Sequence, residues 1–189
     1  MYKRIVLKLS GEALAGEKKD NSFDNDVIDG IIGQIKCLIE KEIQVSLVIG
    51  GGNFWRGRSA NPKMDRTKAD QIGMLATIMN AVYVADSFRQ AGIKAVVQTP
   101  FQVGTISEEF SKDKALEYLS QGHVVIFAGG TGHPFFSTDT ITALRGAELD
   151  ADALFFAKMW TVFMTVTPLF IQMRKKLTKF LVRILSVKI

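Results

Sequence analysis

The sequence predicts an α/β protein with a mainly parallel sheet, right-handed crossovers and helices on both faces of the sheet. Short apolar runs alternate along the chain with longer segments of helical periodicity, and glycines follow several of the apolar runs. The runs are rich in β-branched residues and do not alternate with polar ones, as in strands that are buried on both faces. The predicted strands are 4–9, 45–50, 94–99, 123–129 and 153–157.

Four helices are predicted between these strands. Apolar residues recur every three or four positions from Val27 to Ile39, and again from Ile72 to Val82. This spacing places them on one face of an α-helix. Shorter helices are predicted over 111–122 and 138–151. In open parallel sheets of this kind, ligands bind beyond the carboxyl ends of the strands.

Composition and charge narrow the function classes. The 189 residues suffice for one domain with a sizeable core, and 47% hydrophobic with 23% charged residues is ordinary for a soluble protein. Six of the 24 basic residues and none of the 19 acidic ones lie in 159–189, so residues 1–158 are nearly neutral. That neutrality gives no indication of nucleic-acid or membrane binding. A single cysteine and no apparent signal peptide lead us to expect a cytoplasmic protein.

Three glycine-rich loops follow predicted strands: KLSGEAL, VIGGGNFWRG and FAGGTGHPFFSTDT. Glycine lets backbone N–H groups approach an anion without a Cβ in the way, and a helix N-terminus beyond the loop adds unpaired donors. Lys8 and Arg56 add positive charge that suits phosphate oxygens. One such loop is more often a plain tight turn. Three loops at strand ends, two of them with a nearby cation, favour a site for two phosphate-bearing ligands.

Several other chemistries lack the residues that they need. The loops match neither the P-loop nor the dinucleotide-binding pattern. His123 and His133 are isolated, and no nucleophile elbow is present, which disfavours a zinc enzyme or a hydrolase. Phosphoryl transfer to an anionic phosphate needs no general base, only positioning and charge neutralisation. The aromatic pairs 54–55 and 135–136 fit either base stacking or packing under a loop.

Four motifs together resemble the bacterial UMP kinase family, which has the amino acid kinase fold: KLSGEAL, VIGGGNFWRG, ADQIGMLATIMNAV and GTGHPFFSTDT. The resemblance extends from about Tyr2 to Lys158, and the last two motifs are specific to the UMP branch. It implies a three-layer α/β/α sandwich that transfers a phosphoryl group from ATP to UMP with Mg²⁺. It also implies a hexamer, a role in pyrimidine biosynthesis and, from the segment after Gly16, an allosteric GTP effector.

The resemblance further implies roles for individual residues. Catalysis is assigned to Lys8, which would neutralise charge on the transferring group, and to Asp139, which would orient Lys8 or magnesium. The implied ATP-binding residues are Lys8, Leu9, Ser10, Gly11, Gly52 and Arg56. The implied UMP-binding residues are Gly51, Asp70, Thr131, Gly132, His133, Pro134, Phe135, Phe136, Ser137 and Thr138. His133 stands where many relatives have asparagine, and Asp70 also fits a helix N-terminal acid.

The segment 159–189 departs from this pattern and is expected to form an aberrant basic tail after a kinase domain of 1–158. Relatives have a segment like Asn-Val-Asp-Gly-Val-Tyr-Asp-Ser-Asp-Pro there, which binds adenosine. Read from the third base of the Lys158 codon, the codons of the ten following residues permit that segment at every position. We therefore hypothesise that the tail is frameshifted and that the adenosine-binding half is missing or replaced. A basic membrane-surface helix is the alternative.

Three functions are compatible with these residues. The first is a UMP kinase that is impaired by loss of its adenosine-binding half. The second is another member of the fold that acts on an acyl or carbamate group, and substrate-dependent ADP release distinguishes it from the first. The third is a non-catalytic nucleotide-binding remnant, which tight UMP binding without turnover would indicate.

Overall fold

The computed structural model describes residues 2–16, 23–56 and 61–158, together with the backbone of 181–185. Strands and helices alternate along most of this length. In chain order, the elements are β1 (Arg4–Leu9), α1 (Gly11–Ala15), α2 (Asn25–Ile39), β2 (Gln44–Ile49), α3 (Arg66–Gln90), β3 (Ala95–Thr99), β4 (Glu108–Glu109), α4 (Lys112–Ser120), β5 (Val124–Phe127), α5 (Thr138–Glu148), β6 (Ala153–Lys158) and β7 (Leu181–Leu185).

The strands of the described residues form one sheet in the order β4-β3-β5-β2-β1-β6-β7. The first six strands are parallel, and β7 is antiparallel to β6. This confirms the predicted fold class, and the five predicted strands correspond to β1, β2, β3, β5 and β6 with ends that differ by at most two residues. Two strands were not predicted: β4 has only two residues, and β7 lies in the predicted tail.

Two apolar cores cover the two faces of the sheet, as the predicted sandwich requires. On one face, Ile5 and Leu9 of β1 pack with residues of α2 and α3. On the other face, Val6 packs with residues of α4 and α5. Side chains alternate between faces along a strand, so Lys8 points to the same side as Val6. The sheet thereby directs the Lys8 side chain toward α5.

Short polar caps end the loops at the carboxyl edge of the sheet. The Ser10 hydroxyl accepts a hydrogen bond from the Ala13 N–H at 3.2 Å and begins α1. The Ser137 hydroxyl accepts one from the Thr140 N–H at 3.2 Å and begins α5. A capping side chain satisfies a backbone donor that the helix itself cannot pair. Both helices therefore start directly beside the glycine-rich loops.

Some predictions fall outside the described residues. The stretches 159–180 and 186–189 make up most of the tail, so the frameshift hypothesis and the 1–158 boundary stay predictions. The segment that resembles the GTP-effector region starts after Gly16, and its first residues, 17–22, also lie outside the described residues. In the part of the chain that is described, no helix combines the length and apolarity needed to cross a bilayer.

Candidate active site

A buried lysine and an aspartate meet between β1 and α5. Lys8 Nζ lies 3.0 Å from Asp139 Oδ1, and only 6% of Lys8 is exposed, whereas the Asp139 side chain is 43% exposed. Asp139 lies in the first turn of α5, at the end of the third glycine-rich motif. The two residues proposed to be catalytic are thus in direct contact, with the carboxylate at the solvent side of the pair.

The first two glycine-rich loops touch through their backbones. Gly50 N–H donates to the Leu9 carbonyl at 2.8 Å, which extends the β1–β2 pairing into the loops. A Cβ at Gly11 would lie 2.5 Å from the Gly52 nitrogen and 2.8 Å from the Asn53 nitrogen. Only glycine permits so close an approach of backbone to backbone. Gly11 and Gly52, which are both predicted to bind ATP, are therefore neighbours.

A salt bridge spans these two loops on the solvent side. Arg56 Nη2 lies 2.6 Å from Glu12 Oε1. Both side chains keep considerable contact with water, at 61% exposure for Arg56 and 38% for Glu12. Arg56 belongs to the predicted ATP site, whereas Glu12 was given no role from the sequence.

The helix α3 anchors the second and third loops through buried polar side chains. Asn80, which is fully buried, donates to the Gly50 carbonyl at 2.7 Å and to Asn53 Oδ1 at 2.7 Å. Asn53 Nδ2 donates back to Asn80 Oδ1 at 3.1 Å. One turn earlier, the Thr77 hydroxyl accepts the Gly129 N–H of the third loop at 2.7 Å. A single helix thus holds two of the glycine-rich loops in fixed relative positions.

Gly51 lies directly against the backbone of α3, and this packing makes a testable prediction. A Cβ at Gly51 would lie 2.9 Å from Ala76 Cβ and 3.0 Å from the Gly73 carbonyl oxygen. Gly51→Ala is expected to lower the free energy of unfolding by about 1–3 kcal/mol, because the helix or the loop must shift. Urea denaturation measures this loss.

Gly33→Ala is the matched control for this prediction. Gly33 lies on the exposed side of α2, and a Cβ there would meet nothing within 4 Å. Adding a methyl group at such a helical position is expected to be neutral or to stabilise by about 0.5–1 kcal/mol. Equal losses in the two variants would show that Gly51 is not tightly packed.

The third loop is shaped by backbone that mainly glycine adopts. Gly129, Gly130 and Gly132 have φ of 77°, 60° and 80°, in the left-handed region. Pro100, just after β3, closes the underside of the loop: a Cβ at Gly129 would lie 2.9 Å from Pro100 Cδ. Phe135 has a positive φ of 70° as well. The loop therefore presents its tip, with 67% of Phe135 exposed, to solvent.

Asp70 ties α3 to the tip of this loop. Its Oδ2 accepts the Phe135 N–H at 2.8 Å, and its Oδ1 lies 3.0 Å from Arg66 Nε. Burial opposes ionisation, but the hydrogen bond from Phe135 and the charge and hydrogen bond of Arg66 outweigh it, so the pKa of Asp70 lies below its ordinary value. The Arg66 guanidinium also lies 5.7 Å from the centre of the Phe135 ring. Asp70 is therefore an ionised carboxylate beside the loop.

The lowered pKa of Asp70 predicts how stability depends on pH. A carboxylate whose pKa is depressed by folding stabilises the protein above its unfolded pKa, near 3.8, and loses that contribution as the pH falls through the folded value. Asp70→Asn is therefore expected to be less stable than wild type at neutral pH. The difference should shrink in strong acid. Urea denaturation from neutral to acidic pH tests this, and a gap that widens in acid would contradict it.

The predicted site residues occupy the carboxyl edge of the sheet, with differing exposure. Leu9 is buried in the core on the α2–α3 face, so only its backbone can meet a ligand. The Ser10 hydroxyl is engaged as the α1 cap. In the third loop, His133, Phe135, Phe136 and Ser137 are exposed. The other predicted site residues of that loop are half-buried: Thr131, Gly132, Pro134 and Thr138.

Sequence reasoning missed the residues that hold the loops in place. Asn53, Thr77, Asn80 and Glu12 had no assigned role. The helical pattern did not indicate Asn80, because most of the predicted apolar positions, Leu75, Met79 and Val82 among them, are not on the buried side of the helix where Asn80 lies. The partners of Asn80 belong to loops far away in the sequence.

Comparison with known proteins agrees with this architecture. Residues 3–159 match the model of the Amino acid kinase family. A solved UMP kinase from Bacillus anthracis is 35% identical, with a TM-score of 0.81, over 88% of this chain and 69% of that one. The UMP kinase from Ureaplasma parvum is 33% identical, with a TM-score of 0.75, over 80% of this chain and 67% of that one.

These matches confirm the resemblance to UMP kinases that the four motifs indicated. The family match spans most of the chain and includes the glycine-rich loops, the long helix α3 and the Lys8–Asp139 pair. By sequence match and by fold, the chain belongs to the amino acid kinase family.

Proposed function

We propose that this protein phosphorylates UMP to UDP with ATP as the donor. The observation that carries the proposal is the buried Lys8, ion-paired with Asp139 where the glycine-rich loops meet. A fixed cation at such a place suits the charge that spreads over a transferring phosphoryl group. The similarity to two UMP kinases supports the choice of substrate.

The proposed reaction is a direct displacement at phosphorus. A phosphate oxygen of UMP forms a bond to the γ-phosphorus of ATP, and the bond from that phosphorus to the β–γ bridging oxygen breaks, which releases ADP. The UMP oxygen is already anionic, so no side chain has to remove a proton. Lys8 would neutralise charge on the transferring group, and Asp139 would hold the ammonium in place through the 3.0 Å contact.

On the UMP side, Asp70 would accept hydrogen bonds from the ribose hydroxyls. Its two oxygens already meet Phe135 and Arg66. A carboxylate can accept about four hydrogen bonds, so capacity for a ribose remains. The third loop, whose tip Asp70 holds, would then enclose the UMP phosphate and uracil.

Magnesium would enter this site with ATP. Mg²⁺ in phosphoryl-transfer sites is usually held by one or two carboxylates and by substrate phosphates. Asp139, whose side chain is partly exposed beside Lys8, is a carboxylate that fits this mode. Bound magnesium would supply further charge neutralisation.

The tail limits the activity that we propose for this chain. If 159–189 is frameshifted, the segment that grips adenosine is absent, and binding energy used to position ATP is lost. We therefore expect UMP binding with little turnover. Self-association belongs to the same proposal, and the exposed apolar residues on α3, Leu75, Met79 and Val82, support it.

Two measurements on the 189-residue chain test the proposal. Isothermal titration calorimetry with UMP should detect binding, and CMP and AMP serve as control ligands. A coupled assay with Mg-ATP should detect ADP release that depends on UMP, slow in this chain and faster in a chain expressed from the gene with one adenine added at the Lys158 codon. Absence of UMP binding would refute the proposal. ADP release that depends instead on an acyl or carbamate substrate would favour the second function.

A further inference from the structure

The carboxylate of Glu12 fills the space that the missing side chain of Gly52 leaves. A Cβ at Gly52 would overlap Glu12 Oε1 and would lie 2.7 Å from Glu12 Cδ and 3.2 Å from Oε2. The whole carboxylate therefore lies against this glycine. Glycine at such a loop position leaves room for an anion to approach the backbone. In this structure the anion beside Gly52 is the Glu12 carboxylate.

The same carboxylate neutralises the cation of the loop. Glu12 Oε1 lies 2.6 Å from Arg56 Nη2, in an ion pair that joins the first loop to the second. A carboxylate and a phosphate offer a guanidinium the same kind of partner, a pair of oxygens on a negatively charged group. Glu12 thus has the charge, the position and the partner that a ligand phosphate would have.

We propose that Glu12 is an internal competitor for phosphate, which holds Arg56 until the phosphate of a ligand exchanges with it. Glu12 is a positioning residue in this scheme, because it acts through Arg56. Exchange is feasible because both side chains are exposed to water, at 38% and 61%, and ion pairs of that kind are weak. The inference rests on the proposed function only in assigning Arg56 and Gly52 to phosphate binding.

The proposed exchange predicts that the substitution Glu12→Gln strengthens phosphate binding. Glu12→Gln keeps the size of the side chain and removes its charge, so Arg56 loses its internal partner. Phosphate affinity is therefore expected to rise by about two- to fivefold, the range that corresponds to a weak exposed ion pair. If Glu12 instead held Arg56 in a productive position, the same variant would bind phosphate more weakly.

A double-mutant cycle tests whether Glu12 affects phosphate affinity through Arg56. Affinity for inorganic tripolyphosphate is measured by calorimetry at low salt for wild type, Glu12→Gln, Arg56→Met and the double variant. The gain from Glu12→Gln should disappear in the Arg56→Met background, because no cation remains to be released. An equal gain in both backgrounds would indicate simple charge repulsion and would overturn the exchange.

Glu40→Gln is the charge-matched control. Glu40 is exposed at the end of α2, at the amino edge of the sheet, so its removal changes net charge without touching the loops. It should leave tripolyphosphate affinity unchanged, and a gain as large as that of Glu12→Gln would overturn the proposal. Unchanged or weaker binding in Glu12→Gln, or no binding at all, would do the same.

Parallel titrations with UMP separate this inference from the proposed function. Wild type that binds no UMP, together with the expected gain for tripolyphosphate in Glu12→Gln, would refute the UMP assignment and leave the exchange standing. Wild type that binds UMP, with no gain in Glu12→Gln, would refute the exchange alone.

Discussion

Lys8→Met is expected to lower the rate of phosphoryl transfer by about 10²–10³-fold. Methionine keeps the apolar stem of the side chain but removes the ammonium that lies 3.0 Å from Asp139. Charge that develops on the transferring group then loses its fixed counter-charge in a buried position. ADP release that depends on UMP, measured at high protein concentration so that slow turnover is detected, provides the comparison.

Two controls make the Lys8 result interpretable. Lys41→Met removes an exposed lysine at the turn after α2 and should leave the rate unchanged. Placing Lys8→Met in the chain with the restored reading frame provides a measurable reference rate, whatever rate the 189-residue chain shows. A loss below tenfold in that chain would argue against Lys8 as the neutralising cation.

Asn80→Leu is expected to lower the free energy of unfolding by about 2–3 kcal/mol. The substitution removes the hydrogen bonds to the Gly50 carbonyl and to Asn53, and it leaves both groups buried without their partner. A buried polar group that loses its hydrogen-bond partner destabilises the folded state by its full desolvation free energy. Thermal unfolding should show a decrease in Tm of about 5–10 °C.

Two further variants locate the Asn80 effect. Gln71→Leu, on the exposed side of the same helix, should change stability by no more than about 0.5 kcal/mol. In Asn53→Leu/Asn80→Leu both amides are replaced, so the double variant should lose less than the sum of the two single losses. Strict additivity would show that the two asparagines do not stabilise each other.

The strands and most helices could be predicted because their information is local. β1, β2, β3, β5 and β6 are each a short, buried apolar run. The helix α3 was predicted, but Leu75, Met79 and Val82 of its predicted apolar face are exposed, because small residues form most of the face that packs on the sheet. β4 was missed because Glu108–Glu109 is two polar residues long and has no pattern. It exists because its backbone pairs with the end of β3.

The candidate site was predictable in its parts and less so in its contacts. The motifs pointed to Lys8 and Asp139 separately, and alternation along β1 was enough to orient the lysine once the layers were known. Lys8 meets Asp139 because α5 packs on the same face of the sheet as Val6, and this packing was not visible in the sequence. The role of each predicted residue in binding or catalysis stays a prediction.

The sequence by itself determined the class of fold, the glycine-rich loops and the residue types available for phosphate chemistry, because periodicity, glycine and charge act over a few residues. The tertiary structure alone decided which groups meet: Asn80 with Asn53, 27 positions away, and Asp70 with Phe135, 65 positions away. The ion pair of Glu12 with Arg56 is of the same kind. Such partners depend on strand order and on the packing of every layer at once, which no local pattern contains.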